Sequence, residues 1–172
     1  MAKLKNPRQK GNDYELKIAK IFTNWSGRKF ERVPRSGGLR WKEDNNVTGD
    51  IVSPFELKFP ITIETKKRED SWDFDKLLEE TSEIWKWWEQ SCEDGRRVGK
   101  ISWLVIGRNF RSDYLFMEKD CFEKLKVVND KINSIPYIFL KTKKYFIYVF
   151  NLRVVLNTVT LEDVLSLKKE KQ

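Results

Sequence analysis

Asp50, Glu64 and Lys66 are the residues of this 172-residue chain whose types and spacing could do chemistry together. Asp50 follows Gly49 and opens the apolar pair Ile51-Val52, and the later segment Ile61-Thr62-Ile63-Glu64-Thr65-Lys66 carries the other two. Side chains alternate along a strand, so Glu64 and Lys66 share one face while Ile63 and Thr65 take the other. If the two segments pair as a hairpin, Asp50 approaches Glu64. Two carboxylates held together either share a proton or bind a hard cation. Mg2+ takes oxygen ligands and leaves positions for a substrate phosphate. A lysine beside them could orient or deprotonate a water, or stabilise phosphate charge. Glu64-x-Lys66 taken alone also suits a salt-bridge ladder on a sheet surface.

Composition narrows the chemistry further. The chain has no histidine, which removes histidine-ligated zinc sites, Ser-His-Asp and Cys-His catalysis, and nucleases with a histidine base. Cys92 and Cys121 form no CxxC pair, so a reducing compartment is expected. The start of the chain has no apolar signal-peptide core, and no apolar run reaches the ~18 residues of a membrane span. These features read as a soluble protein of the cytoplasm of a bacterial, archaeal or phage-infected cell. The net charge is +8, and it is segregated: residues 1–48 hold 12 Lys and Arg against 5 Asp and Glu, whereas 49–172 hold 22 against 21. A basic first quarter points to a polyanion partner. Arg28, Lys29, Arg32, Arg35, Arg40 and Lys42 are interleaved with Phe30, Val33 and Trp41, which does not suit a plain solubilising tail.

The elements that must position these residues follow from periodicity. Residues 1–9 read as a disordered basic tail and 10–172 as a single domain. Apolar residues at three- and four-residue spacing predict a helix over Gly11–Trp25, capped by Asn12 or Asp13 and ended by Ser26-Gly27. Strands are expected at Lys29–Pro34, from Gly49 to Val52, and at Ile61–Lys67. Asp73–Cys92 reads as the longest helix, ended by Glu93-Asp94-Gly95. Ile101–Gly107 suits a central strand, Tyr114–Met117 another, and Asp120–Val128 a short helix. A late strand pair, Tyr137–Leu140 and Tyr145–Phe150, precedes a capping box at Thr160-Leu161-Glu162-Asp163 that opens a last short helix. The order α-β-β-β-α-β-β-α-β-β-α implies a layered α/β domain, a central mixed sheet flanked by helices.

The order of motifs in the first two thirds of the chain is more specific than any one of them. Lys10-Gly11-x-x-x-Glu15 opens the first helix, followed by Val33-Pro34-Arg35-Ser36-Gly37, Gly49-Asp50-Ile51 and Ile63-Glu64-Thr65-Lys66. This order resembles the PD-(D/E)xK nuclease superfamily, and within it the archaeal-type Holliday junction resolvases and similar phage-encoded nucleases. The resemblance covers roughly residues 10–107. It implies a restriction-endonuclease-like fold and a Mg2+-dependent endonuclease acting on DNA, for which Mn2+ should substitute. By the same resemblance Asp50 and Glu64 are metal ligands, Lys66 is the catalytic lysine, and Glu15 is a helix-borne acid completing the site. Arg35 and Ser36 match the substrate-contacting Arg-Ser loop, and Lys10 joins the DNA-binding set. The chain departs from the archaeal members in having Leu16 after the helix glutamate and an insertion, Gly37–Gly49, before the aspartate. Other substrates of the superfamily, such as flaps, mismatches or duplex ends, stay open, as does a non-catalytic nucleic-acid-binding protein on this scaffold.

Two further features bear on partners. The insertion carries Arg40-Trp41-Lys42 between Ser36 and Asp50, where the basic pair could contact phosphates and Trp41 could stack on an unpaired base. The helix expected over Asp73–Cys92 contains Trp85, Trp87 and Trp88. At 100° per residue, Phe74, Leu77, Leu78, Thr81, Ile84, Trp85 and Trp88 form one buried stripe, and Trp87 falls about 120° away from its centre. Trp87 therefore does not belong to that core face; it could be a contact in a homodimer, the favoured reading, a DNA-stacking residue or a plain edge residue. DNA, branched at a four-way junction, is the expected partner.

Overall fold

The computed structural model describes residues 6–33, 48–68, 74–79, 81–108 and 110–167. Helix α1 spans Pro7–Ser26, strand β1 Glu31–Arg32, β2 Ile51–Val52 and β3 Ile61–Lys67; helices α2 (Phe74–Leu78) and α3 (Glu83–Arg97) follow. Strands β4 (Ile101–Gly107) and β5 (Asp113–Glu118), helix α4 (Lys119–Val128), strands β6 (Tyr137–Lys141) and β7 (Phe146–Asn151), and helices α5 (Leu152–Thr158) and α6 (Leu161–Leu165) complete the chain. The strands form one mixed sheet in the order β1-β2-β3-β4-β5-β7-β6. β3 and β4 run parallel, joined by the α2–α3 crossover; all the other neighbours are antiparallel.

Alternation along the central strands builds two cores, one on each face. Trp103 and Val105 of β4 join Tyr14, Ile18 and Phe22 of α1, Phe122 of α4 and Val155 of α5. Leu104 and Ile106 face the other way, onto Leu77, Ile84 and Trp88 of the crossover. A strand buried on both faces needs apolar residues at every position, which is why 101–107 reads as a continuous apolar run. Where a helix comes close to the sheet, the sequence supplies glycine. A Cβ at Gly95 of α3 would lie 2.4 Å from Ser102 Oγ, and one at Gly107 would lie 2.4 Å from Tyr14 Oη.

The sheet, the capping box at Thr160 and Asp163, and the layered architecture agree with the expectations from sequence. Three features differ. Helix α1 starts at Pro7, not near Gly11: Asn6 is extended and its Oδ1 accepts from Gln9 N at 2.8 Å, and proline suits a first helical position. Residues 7–9, assigned to the tail, are thus its first turn. The helix expected over 73–92 is two helices. Ser82 caps α3, its Oγ accepting from Ile84 N, and α3 runs on through Glu93-Asp94-Gly95 to Arg97. Leu77, Ile84, Trp85 and Trp88 of the expected stripe are buried together, but Leu78 is 80% exposed and Trp87, off the stripe, is buried at 8%. Trp87 packs inside the crossover core under the Arg68 guanidinium, 5.3 Å from its ring centroid, and not at the surface expected for it. Finally, α5 was not expected at all. It begins directly after β7, where Asn151 Oδ1 accepts from Arg153 N at 3.0 Å.

Candidate active site

β2 and β3 pair as the hairpin reading requires, with Ile51 opposite Ile63. Asp50 sits just before β2, its N–H donating to Ile63 O at 2.9 Å. Gly49 makes that approach possible. Its φ is +78°, and a Cβ there would lie 2.5 Å from Ile63 O and 2.8 Å from Thr62 Oγ1, so the position admits no side chain. The Asp50 carboxylate is held from β3 as well: Oδ2 accepts from Thr65 N at 2.9 Å and from Thr65 Oγ1 at 3.0 Å. Thr65, the residue between Glu64 and Lys66, thus anchors the aspartate to β3. The Lys66 ammonium donates to Glu64 Oε1 at 2.8 Å.

Glu64 is the electrostatic centre of the group. Burial pushes its carboxyl up from 4.5 to about 7, the negative charge of Asp50 pushes the same way, and Lys66 only partly offsets them. Asp94 of α3 adds a further negative charge in the same direction. Its backbone oxygen accepts a 3.4 Å bond from Thr48 Oγ1, which brings this turn of α3 up against the segment entering Asp50. Sequence reasoning treated Asp94 as part of a helix stop and missed its proximity.

Glu15 lies on α1, the helix expected to carry it. It is 2% exposed on α1, and its Oε2 accepts from Arg32 Nη1 of β1 at 3.3 Å. The same Arg32 nitrogen donates to Asn12 Oδ1 at 2.9 Å. Arg32 therefore ties the helix to the strand beside β2, a role its place in the basic segment did not signal. Among the described residues no group of three acidic or cysteine side chains forms a metal cluster. Lys10 lies early in α1, its N–H donating to Asn6 O. Arg35, Ser36, Arg40, Trp41 and Lys42 lie outside the described residues.

What this arrangement can do is bind a hard divalent cation through two carboxylates, one of them buried beside a like charge and poorly compensated without a cation. Water and phosphate oxygens would fill the remaining positions, the usual way Mg2+ is held. The comparison with known families agrees. Residues 6–169 match the family described as "Phage putative PDDEXK endonuclease".

The chain belongs to this family of phage PDDEXK endonucleases.

Membership fits the fold, a single mixed seven-stranded sheet between helices of the restriction-endonuclease-like kind. It makes the protein a nuclease of the PD-(D/E)xK superfamily, whose members generally use divalent metal ions. No curated protein matches the chain. None of the helices among the described residues is long and apolar enough to cross a membrane.

Proposed function

We propose that this PDDEXK endonuclease is a Mg2+-dependent deoxyribonuclease that cuts branched DNA, with a four-way Holliday junction as its substrate. The observation that carries the catalytic part is Glu64, a buried carboxylate placed between the charge of Asp50 and the ammonium of Lys66. Asp50 and Glu64 would hold the cation. When bound, it supplies Lewis-acid activation of water and neutralises charge on the phosphate. In the hydrolysis a water oxygen bonds to phosphorus, the P–O bond to one sugar oxygen breaks, and the departing alkoxide takes up a proton. Lys66 is placed to orient the attacking water or to stabilise charge on a non-bridging oxygen. Thr65 and Gly49 keep Asp50 in register. Mn2+ should replace Mg2+, since the donors are oxygens.

The segregated positive charge of residues 1–48 supports a polyanionic substrate. In this reading Lys10, Arg35, Ser36, Arg40, Trp41 and Lys42 contact the DNA, and Trp41 stacks on bases left unpaired at the branch. A four-way junction is cut on two strands, so the active unit in this reading is a homodimer. The test is Mg2+-dependent cleavage of labelled junction, flap, nicked and linear DNAs by wild type and Glu64→Gln, with mass photometry for the assembly. Junction cleavage by wild type and none by Glu64→Gln is expected. Equal cutting of linear and branched DNA would overturn the substrate, and full activity of Glu64→Gln would overturn the site.

A further inference from the structure

A second basic feature lies at the end of the same strand, on its other face. β3 ends in Lys66-Lys67, and alternation sends Lys67 away from Glu64, towards α1. In the sheet register Lys67 pairs with Gly107, and Gly107 pairs with Asp113, so the three lie in one row across β3, β4 and β5. Tyr14 of α1 lies over the middle of that row, in space that only a glycine at 107 leaves open. Its hydroxyl donates to Asp113 Oδ1 at 3.0 Å, which fixes the ring.

Two ammonium groups flank this fixed ring, Lys67 Nζ at 5.4 Å and Lys17 Nζ at 5.6 Å from its centroid. They are not equivalent. Lys17 is bonded to the buried Asp113 carboxylate at 2.6 Å, which cancels one charge. Lys67 has no carboxylate partner among the described residues; its neighbour is the ring. The cluster carries a net single positive charge, half-buried against an aromatic face and one residue from Lys66. An ammonium so placed has lost side-chain freedom before any ligand arrives, which lowers the entropic cost of an ionic contact.

We propose that Lys67, held on the Tyr14 ring, is a backbone-phosphate contact that grips the substrate strand beside the phosphate being cut. The inference rests on the nuclease reading above and deepens it. The scissile phosphate belongs to the Glu64 and Lys66 face; Lys67 takes a neighbouring phosphate as the strand passes over the end of β3. Such a contact carries no base information, so it strengthens binding to linear and branched DNA alike.

The experiment is fluorescence anisotropy in EDTA, which prevents cleavage, with labelled linear and junction DNA between 0.1 and 0.3 M KCl. Wild type, Lys67→Ala and Lys67→Arg are compared. One phosphate contact contributes about 0.9 to the slope of log affinity against log salt. Lys67→Ala should therefore lose about 0.9 of slope, weakening binding about 8-fold at 0.1 M and about 3-fold at 0.3 M, equally for both DNAs. Lys67→Arg should retain wild-type affinity and slope. Unchanged affinity and slope in a folded Lys67→Ala protein would overturn the contact while leaving the nuclease reading intact. A loss confined to junction DNA would overturn it as well, because it would mark a branch-specific contact. Absence of salt-dependent binding by wild type would instead overturn the nuclease reading itself.

Discussion

Glu64 should make the stability of the metal-free protein fall as pH rises. Its carboxyl is raised from 4.5 to about 7, by burial first and by Asp50 second. The unfolded chain releases this proton near pH 4.5 and the folded protein near 7, so between those values the folded state binds more protons. Stability therefore declines across that window, is unaffected by this group below it, and has lost the full amount above it. At 1.36 kcal/mol per unit the shift corresponds to about 3 kcal/mol, an upper figure because the sheet edge can relax around the charge. Glu64→Gln keeps the shape and the acceptor for Lys66 but cannot ionise. In EDTA the variant and wild type should have equal stability, as far as this group is concerned, near pH 4.5. The variant should then be more stable by up to about 3 kcal/mol at pH 8. Mg2+ should restore the wild type at pH 8 by binding the ionised pair and should do little for Glu64→Gln. Urea unfolding followed by tryptophan fluorescence, from pH 4.5 to 8 with and without Mg2+, measures all of this. A stability difference that stays flat with pH, or equal stabilisation of both proteins by Mg2+, would refute the electrostatic argument.

Three other substitutions probe the same geometry. Asp50→Asn keeps an oxygen for Thr65 and removes a negative charge beside Glu64; cleavage should be lost, and the Glu64 carboxyl carbon should titrate at lower pH by NMR than in wild type. Lys66→Ala should slow the single-turnover rate by about 10²-fold or more without weakening Mg2+ affinity, since the lysine charge opposes the cation; a near-wild-type rate would reduce Lys66 to a salt-bridge partner. Gly49→Ala forces a side chain into the left-handed region and against the backbone of Ile63, so it should destabilise by about 1–2 kcal/mol or more and cost proportionally more activity than stability. Activity of Gly49→Ala that follows its folded fraction would mean that Asp50 is not positioned through this turn.

The parts of the site legible in sequence are those set by local pattern. Strand alternation places Glu64 beside Lys66, and a glycine before an aspartate marks the close approach of Asp50. What was not legible depends on contacts between distant segments or on capping competition. Ser82 reads as an interior residue of a long amphipathic helix until its side chain caps a new one. Trp87 lies off the stripe of Trp85 and Trp88 and is covered by Arg68 from a distant segment, which helical periodicity does not reveal. Asn151 looks like the end of a strand and is also the start of α5. The salt bridge from Arg32 to Glu15 and the bond from Tyr14 to Asp113, 99 residues apart, have no periodic signature. Asp94 reaches the neighbourhood of Glu64 only because α3 continues past the acid-glycine cluster that resembles a stop.

β1 and β2, which bring Asp50 to the edge of the sheet, are two residues long each, whereas β3, β4, β5 and β7 are six or seven residues long. Short edge strands open at lower free energy than the core they flank. Amide exchange at Asp50 and Val33, whose N–H groups bond across this edge, should therefore outpace exchange in β4 by orders of magnitude. Fluctuations there separate Asp50 from Thr65 while Trp88 and Trp103 remain in place in their two cores. On warming, the nuclease falls silent before the protein melts.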